Sequence, residues 1–470
     1  MARVDNTIMV PVDGFEPPTP GSEDQCSNPL SYTGVQMLYQ FNTLELQYVV
    51  MTQTKSIAEA EQVLATYVPQ VKELLGKDLT LVRMEPLLAA LDNPQNKLRI
   101  IHVAGTSGKT STTYYVAALL KEAGKKVGHT VSPHIDSVTE RIQIDLQPLS
   151  EAEFCHSLDE FLDLIKDVDP KPTYFELLIA FVYWYFAKAG VDYAVIETGL
   201  GGSFDATNVT QGPDKVCVIT DIGFDHMHVL GKTVVEIAAQ KAGIIHTDNQ
   251  VFMHKQSLEV MKVFEERCHS QQAMLNVVSN TFENDGELPA YQQRNWHLAK
   301  AVYDYVAERD FLPVLSGEHL ALTKQIQVPG RMDIRQVADK TLVMDGAHNE
   351  QKTEAFASSF QKLFPDKKAA FLLALKEGKE YEAVLPLLKP ICSRLIVTTF
   401  DTAQDLPATS IDPKILAAEA VKHGFSTIQL ETDPKKAYEL LMTAEEKFVV
   451  ITGSFYLLSC LRPIILDAND

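Results

Sequence analysis

The chain has 470 residues, 46% hydrophobic and 22% charged, a globular composition long enough for two or three separately packed cores. Its formal charge of -20 excludes the broad basic face that duplex nucleic acid or an anionic membrane surface requires, so any polyanion it binds has to be gripped locally. Cys26, Cys155, Cys217, Cys268, Cys392 and Cys460 stand far apart with no C-x-x-C pair, no apolar run approaches about eighteen residues, and no export signal opens the chain. A reducing, cytoplasmic setting is expected, without disulfide framework, zinc ribbon or membrane span.

Residues 1–50 place Pro11, Pro17, Pro18 and Pro20 among Gly, Ser and Asp without a sustained apolar period, and are expected to be disordered. The stretch Asp13 to Gly34 also reads like translated non-coding sequence, so either the chain properly starts at Met51 or this is a flexible tail. From Ser56 onward helix-like and strand-like segments alternate. Ile57 to Leu75 has helical period, Leu98 to Ala104 is a strand, and Ser111 to Ala123 is a helix closed by Gly124. Glu176 to Ala189 is a strongly apolar helix, followed by short buried strands at Tyr193 to Ile196 and Val216 to Thr220. This is the pattern of an α/β fold, a parallel sheet with covering helices. A helical region at Trp296 to Val306 leads to Val328-Pro329-Gly330, where a hinge is expected. Beyond it, strands at Thr341 to Met344, Ala369 to Leu375, Arg394 to Thr399 and Phe448 to Thr452 alternate with helical stretches and predict a smaller, Rossmann-like α/β domain.

The most informative segment is Arg99 to Thr113, RIIHVAGTSGKTSTT, an apolar run followed by Gly-Thr-Ser-Gly-Lys-Thr and a helical pattern. It reads as a phosphate-binding loop spanning Gly105, Thr106, Ser107, Gly108, Lys109, Thr110 and Ser111. Backbone N–H groups around the two glycines can turn inward, and the following helix directs its positive end to the same spot. Lys109 adds a mobile cation, and Thr110 or Ser111 a hydroxyl for a phosphate or its metal. Val103 stands where the full Walker spacing has another glycine, so the loop is a shortened variant; the structural alternative is an ordinary strand-turn-helix corner.

Two further strand ends carry chemistry. Glu197, in ETGLGGSFDATN, follows a buried strand and precedes Gly199, Gly201 and Gly202, which permit close backbone approach. At the C-terminal edge of a parallel strand its carboxylate faces the crevice where such sheets bind ligands, unless it is simply a solvated turn residue. Asp225-His226, in DIGFDHMHVLG, follows the next strand. Together, Glu197 and His226 beside a phosphate loop have the layout of Mg²⁺ ligands between nucleotide and acceptor.

These residues carry a resemblance. GTSGKT, Ser132-Pro133-His134, Thr173-Tyr174-Phe175-Glu176, ETGLGG with DATN, Asp225-His226, Gln240-Lys241-Ala242-Gly243-Ile244, Pro329-Gly330-Arg331 and Asp345-Gly346-Ala347-His348-Asn349 occur in the order seen in folylpolyglutamate synthases and bifunctional dihydrofolate synthases, of the Mur ligase superfamily. The resemblance runs from about Ser56 to the C-terminus. It implies a tail over 1–50, a central ATP-binding domain over 51–328 and a glutamate-ligase domain over 329–470. The implied activity is an ATP-dependent ligase: a folate or dihydropteroate carboxylate attacks the γ-phosphate of ATP, and L-glutamate displaces phosphate from the acyl phosphate. Mg²⁺ and cationic side chains have to offset the repulsion between these anions.

By the same resemblance, Ser132, Glu197 and His226 hold one Mg²⁺, and Lys241, as a carbamate, serves a second; an ordinary salt-bridge lysine is the alternative. Burial and nearby metal charge would favour the neutral amine that carbon dioxide needs. Gln240 stands where the family usually has Glu. Arg331 would reach the ATP phosphates, Asp345 the ribose side and Asn295 the adenine, with His348 near the chemistry. Because these groups flank Pro329, closure around ATP would assemble the site. Thr173, Tyr174 and Phe175, with Phe204, Asp205 and Ala206, match pterin-contact positions, although Phe175 suits core packing equally well. Ser203 and Phe204 depart from the usual Arg and Leu, and Thr110 from a common third glycine. Thr110 is shared with peptidoglycan-precursor ligases, the first alternative; the Thr-Tyr-Phe-Glu and DATN motifs and the lack of a domain for a uridine nucleotide stand against it. A non-catalytic nucleotide-binding module is the second alternative, and it need not keep Glu197, His226, Lys241, Arg331 and Asp345 together. A monomer is the family-like expectation.

Overall fold

The computed structural model describes residues 54–68, 80–280, 288–379, 381–402 and 408–467. The expected tail, the start at Met51, Cys26 and the end of the helix expected to reach Leu75 lie outside the described residues. That helix, α1 (Ile57–Ala65), starts where the Ser56 side chain accepts a hydrogen bond from the Glu59 N–H. It is followed by α2 (Met84–Ala90) and then β1 (Ile100–Ala104), whose five residues are all buried. The glycine loop passes directly into α3 (Lys109–Glu122), two residues earlier than the sequence pattern predicts.

The chain continues through β2 (Val127–Thr130), the short hairpin β3 (Gln143–Ile144) and β4 (Gln147–Pro148), and the helices α4 (Glu151–Ile165) and α5 (Tyr174–Ala189). Next come β5 (Tyr193–Glu197), β6 (Val216–Ile219), α6 (Met227–Leu230), α7 (Val234–Ala242), β7 (Gln250–His254), α8 (Leu258–Gln271) and β8 (Met274–Val278). Helices α9 (Ala290–Asp310) and α10 (Gly317–Lys324) complete this part. The strands form one 8-stranded sheet in the order β4-β3-β2-β5-β1-β6-β7-β8. It is parallel from β2 to β8, with β3 and β4 added antiparallel at one edge.

Both faces are covered. On one, Leu177, Phe181 and Phe186 of α5 pack with Phe154 and Phe161 of α4; on the other, Tyr115 and Leu119 of α3 pack with Trp296 and Val302 of α9. Burial on both sides explains why β1, β5 and β6 read as near-continuous apolar runs instead of alternating, with His102 inside β1 and Glu197 at the end of β5 the exceptions. Helix α5 starts at Tyr174 because Thr173 and Glu176 form a reciprocal capping box.

A second sheet has 6 strands in the order β15-β12-β11-β16-β10-β9. Its elements are β9 (Asp333–Val337), β10 (Lys340–Asp345), α11 (Glu350–Leu363), β11 (Ala369–Leu373), α12 (Tyr381–Leu388) and β12 (Cys392–Val397). A separate two-stranded ladder of β13 (Asp401–Thr402) and β14 (Ala408–Thr409) comes before α13 (Pro413–Lys422), β15 (Ile428–Leu430), α14 (Pro434–Met442), β16 (Phe448–Thr452) and α15 (Phe455–Asp467). All neighbours are parallel except β9, which pairs antiparallel with β10. No described helix is long and apolar enough to cross a membrane, and Cys155, Cys217, Cys268, Cys392 and Cys460 are free thiols.

Candidate active site

The loop after β1 is built on two glycines with positive φ, Gly105 at 154° and Gly108 at 95°. A Cβ on Gly105 would lie 1.8 Å from Thr220 Oγ1, and one on Gly108 would lie 2.5 Å from Asn295 Oδ1, so neither position tolerates a side chain. The amides of Thr106 and Ser107 donate to the Asp221 carbonyl at 2.8 and 3.1 Å, pinning the loop to the end of β6. The amides at the start of α3, unpartnered by helix geometry, are therefore the ones left for an anion. Ser107 Oγ instead donates to Gln351 Oε1 at 2.7 Å, and Ser111 Oγ is buried without a partner.

One cleft brings most of the expected residues together: Gly105, Thr106, Gly108, Lys109 and Thr110 of the loop, with Ser132, Glu197, His226, Lys241, Arg331 and His348. Glu197, only 2% exposed, accepts from Thr110 Oγ1 at 3.0 Å and from the Ser132 amide at 3.3 Å. Burial raises its carboxyl above the ordinary value, and Lys109 works against that shift. Lys241 donates to the Gly105 carbonyl at 2.8 Å, and Lys109 reaches the same oxygen at 3.2 Å. Burial, reinforced by Lys109, holds the Lys241 ammonium well below its ordinary value.

Arg331, Asp345, His348 and Asn295 come from beyond the first sheet or from its last helices. Asp345 does not line the cleft. Its buried carboxylate accepts from Tyr291 Oη at 2.8 Å, from the Met332 amide at 2.9 Å and from the Ala347 amide at 2.9 Å. Burial raises its carboxyl, opposed by Arg331. His348 donates Nδ1–H to the Gly346 carbonyl at 2.8 Å, so its Nε2 is an acceptor, reached by Lys352 Nζ at 3.0 Å. Burial, then Lys352, pushes this imidazole down to about 3. Asn295 is buried against Gly108, at the back of the loop.

The pterin-contact candidates are divided. Thr173 is spent as the α5 cap, and Tyr174 is buried at 7% exposure. The Phe175 ring lies against Gly199, where a Cβ would approach its Cζ to 2.4 Å, so it packs on the edge of the glycine loop that follows Glu197. Phe204 is half exposed and Ala206 buried. Asp205 points inward, accepting from the Leu200 amide at 2.7 Å, the Thr207 amide at 3.0 Å and the Thr207 hydroxyl.

The sequence reading assigned no role to several cleft residues. Asp225 accepts from Lys379 Nζ at 2.7 Å, Lys352 Nζ at 2.9 Å and Asn349 Nδ2 at 3.2 Å, with His226 and His348 ring nitrogens each at 3.7 Å. Although burial opposes its ionisation, the Lys352 ammonium beside it holds its carboxyl far below the ordinary range. Burial lowers Lys352 to about 8, with Asp225 opposing. Phe455 is the remaining one, its ring 4.1 Å from the Arg331 guanidinium carbon. Lys352 lies one helical turn beyond His348, a spacing that could have drawn attention to it.

Among the described residues no three His, Cys, Asp or Glu side chains converge on a common point. The expected Mg²⁺ set contains only two such residues, Glu197 and His226. The buried Glu197 carboxylate, bound only by one hydroxyl and one amide, is a hard oxygen donor of the kind Mg²⁺ takes, and fits. Lys241 as a free amine donates to a carbonyl and fits only once its nitrogen carries an anionic group.

The Mur ligase middle domain model matches residues 103–331, and the model for the dihydrofolate synthetase C-terminal domain matches residues 331–462. The dihydrofolate synthetase of Saccharomyces cerevisiae is 31% identical over 412 residues, covering 81% of this chain and 96% of the yeast protein. The dihydrofolate synthase/folylpolyglutamate synthase of Bacillus subtilis is 29% identical over 412 residues, covering 81% and 93%. Among solved structures, the folylpolyglutamate synthase of Mycobacterium tuberculosis complexed with ADP and AMPPCP superposes with a TM-score of 0.73 at 27% identity, over 86% of this chain and 99% of that one.

Proposed function

We infer that this chain, which belongs to the dihydrofolate synthase and folylpolyglutamate synthase family of Mur ligases, joins L-glutamate to a folate, and also to dihydropteroate, at the expense of ATP. The observation that carries this reading is the single cleft in which Lys109, Glu197, His226 and Lys241 from the larger sheet meet Arg331 and His348 from beyond the hinge. In this reading residues 51–328 bind ATP, and residues 329–470 complete the site and receive the amino acid.

The chemistry proceeds in two displacements. A carboxylate oxygen of the acceptor bonds to the γ-phosphorus as the bond to the β-phosphate oxygen breaks, giving ADP and an acyl phosphate. The glutamate nitrogen then bonds to the acyl carbon, and inorganic phosphate leaves from a tetrahedral intermediate. Lys109 and the α3 amides hold the phosphates, while Arg331 brings a further cation from the opposite side. The attacking nitrogen has to shed protons, and His348 presents an unprotonated Nε2 at this seam. Ser132, Glu197 and His226 would hold Mg²⁺, which when bound neutralises charge developing on the phosphate oxygens.

Burial that disfavours the charged form of Lys241 supports the carbamate reading. The lone pair of the neutral amine bonds to the carbon of carbon dioxide and a proton leaves to water, giving an anion that would be able to serve a second Mg²⁺.

The decisive experiment is ADP release by the full chain with ATP, Mg²⁺ and L-glutamate, with dihydropteroate, a reduced folate monoglutamate or no acceptor, and mass spectrometry of the product. Acceptor-dependent release with one glutamyl group added is expected with both acceptors. Turnover with the folate alone restricts the activity to polyglutamylation, and silence from protein that binds ATP overturns the reading.

A further inference from the structure

Phe455 opens α15 directly after β16, and its ring touches the site from three directions. The Arg331 guanidinium carbon lies 4.1 Å from the ring centroid, and the His348 imidazole meets the ring edge-on at 6.4 Å between centroids. Beneath the ring are Gly330 and Gly346. A Cβ on the first would approach Phe455 Cε1 to 3.0 Å and one on the second to 2.7 Å, so the backbone is shaped around this side chain. Phe455 also lines the cleft that holds the phosphate loop.

Arg331 has no ion pair among the described residues; its guanidinium lies over the aromatic face of Phe455. That choice of partner matters physically. A carboxylate would occupy the in-plane N–H donors of the guanidinium and compete with any phosphate that approached. An aromatic face attracts the cation through the ring quadrupole and uses only the flat side, leaving the donors at the edge unspent. A long, otherwise unrestrained side chain is thereby ordered before ligand arrives, and its ordering entropy is not charged against binding.

We propose that Phe455 is a positioning residue that holds Arg331 by its face and presents its N–H edge to the nucleotide phosphates. The proposal rests on the nucleotide-binding reading of the cleft, but not on the identity of the acceptor. Its test is equilibrium binding of ADP and AMPPCP to the full chain by calorimetry, for wild type, Phe455→Leu, Phe455→Tyr, Arg331→Ala and the Phe455→Leu/Arg331→Ala pair. Phe455→Leu should weaken AMPPCP roughly 5- to 10-fold, as expected for loss of a desolvated cation–aromatic contact. Phe455→Tyr should restore binding, and Phe455→Leu should cost nothing further once Arg331 is gone. In turnover the KM for ATP should rise while the KM for L-glutamate stays put.

Unchanged AMPPCP affinity in Phe455→Leu overturns the proposal. So does an equal loss in the Arg331→Ala background, which would mark Phe455 as packing alone. Wild type that binds neither nucleotide removes the nucleotide site and the proposal with it, whereas nucleotide binding without glutamyl product removes the ligase reading only.

Discussion

Lys241 bears the most demanding assignment of any single residue, since an amine donating to the Gly105 carbonyl has to become a metal-holding anion. Lys241→Ala should abolish glutamyl transfer, and a short carboxylic acid should restore part of it by supplying the missing oxygens. Full activity without any addition would remove the carbamate from the site. Lys109 and Glu197 are tested more directly. Lys109→Ala and Glu197→Ala should each lower turnover by at least about 100-fold, the scale seen when one preorganised charge is removed from a transition state. An unaltered melting temperature would assign that loss to chemistry, and an unaffected rate in either variant would exclude that residue.

At the scale of elements, β1 and β2 each bury a histidine, and this sets an acid limit on the fold. His102 bonds through Nε2 to Thr207 Oγ1 at 2.9 Å, and His129 through Nε2 to Thr113 Oγ1 at 3.0 Å. Burial drives His102 well below its ordinary value and His129 down to about 3. The unfolded chain takes up these protons near the ordinary histidine value of about 6.5, while the folded chain refuses them until far lower pH. Since the unfolded state binds more protons in this window, stability is fully present above it and is lost as pH falls from about 6.5 toward about 3. The urea midpoint should decline through that range, and His129→Gln should flatten the decline; a midpoint independent of pH there would refute the account. Of these two strands β1 was legible in the sequence, whereas β2, Val-Gly-His-Thr, was not read as a strand. Runs such as Ile100–Ala104 and Phe448–Thr452 read correctly because burial on both faces makes them predominantly apolar, with His102 and Thr452 the only polar positions in them. Edge strands did not. β8 is half exposed along its length, β9 carries Asp333, Arg335 and Gln336, and β15 has three residues, so none offers a clean period.

For the whole molecule, what the sequence revealed about the site was whatever lies within one contiguous motif. Lys109, Glu197 and His226 sit at strand ends, where a parallel sheet exposes its ligands, and their roles can be inferred locally. Phe455, Lys352 and Lys379 acquire meaning only because folding places them beside residues far away in the chain. Asp225 is the clearest case, a carboxylate from the larger sheet held by Lys352 and Lys379 from the part of the chain that carries the second sheet. The three side chains are 8%, 13% and 17% exposed, so the pairing is largely sheltered from solvent. Asp225→Asn keeps the shape but removes a carboxylate that balances two ammonium groups, in a cleft that also contains Lys109 and Arg331. Removing one partner of a buried pair costs about 3–5 kcal/mol, so the variant should melt several degrees below wild type. Added phosphate groups would supply the missing negative charge to the same cations. AMPPCP should therefore raise the melting temperature of the variant by more than that of wild type, narrowing the gap. A variant as stable as wild type without ligand, or a gap unmoved by nucleotide, would show that Asp225 neither joins the two sheets nor balances the charge of the cleft.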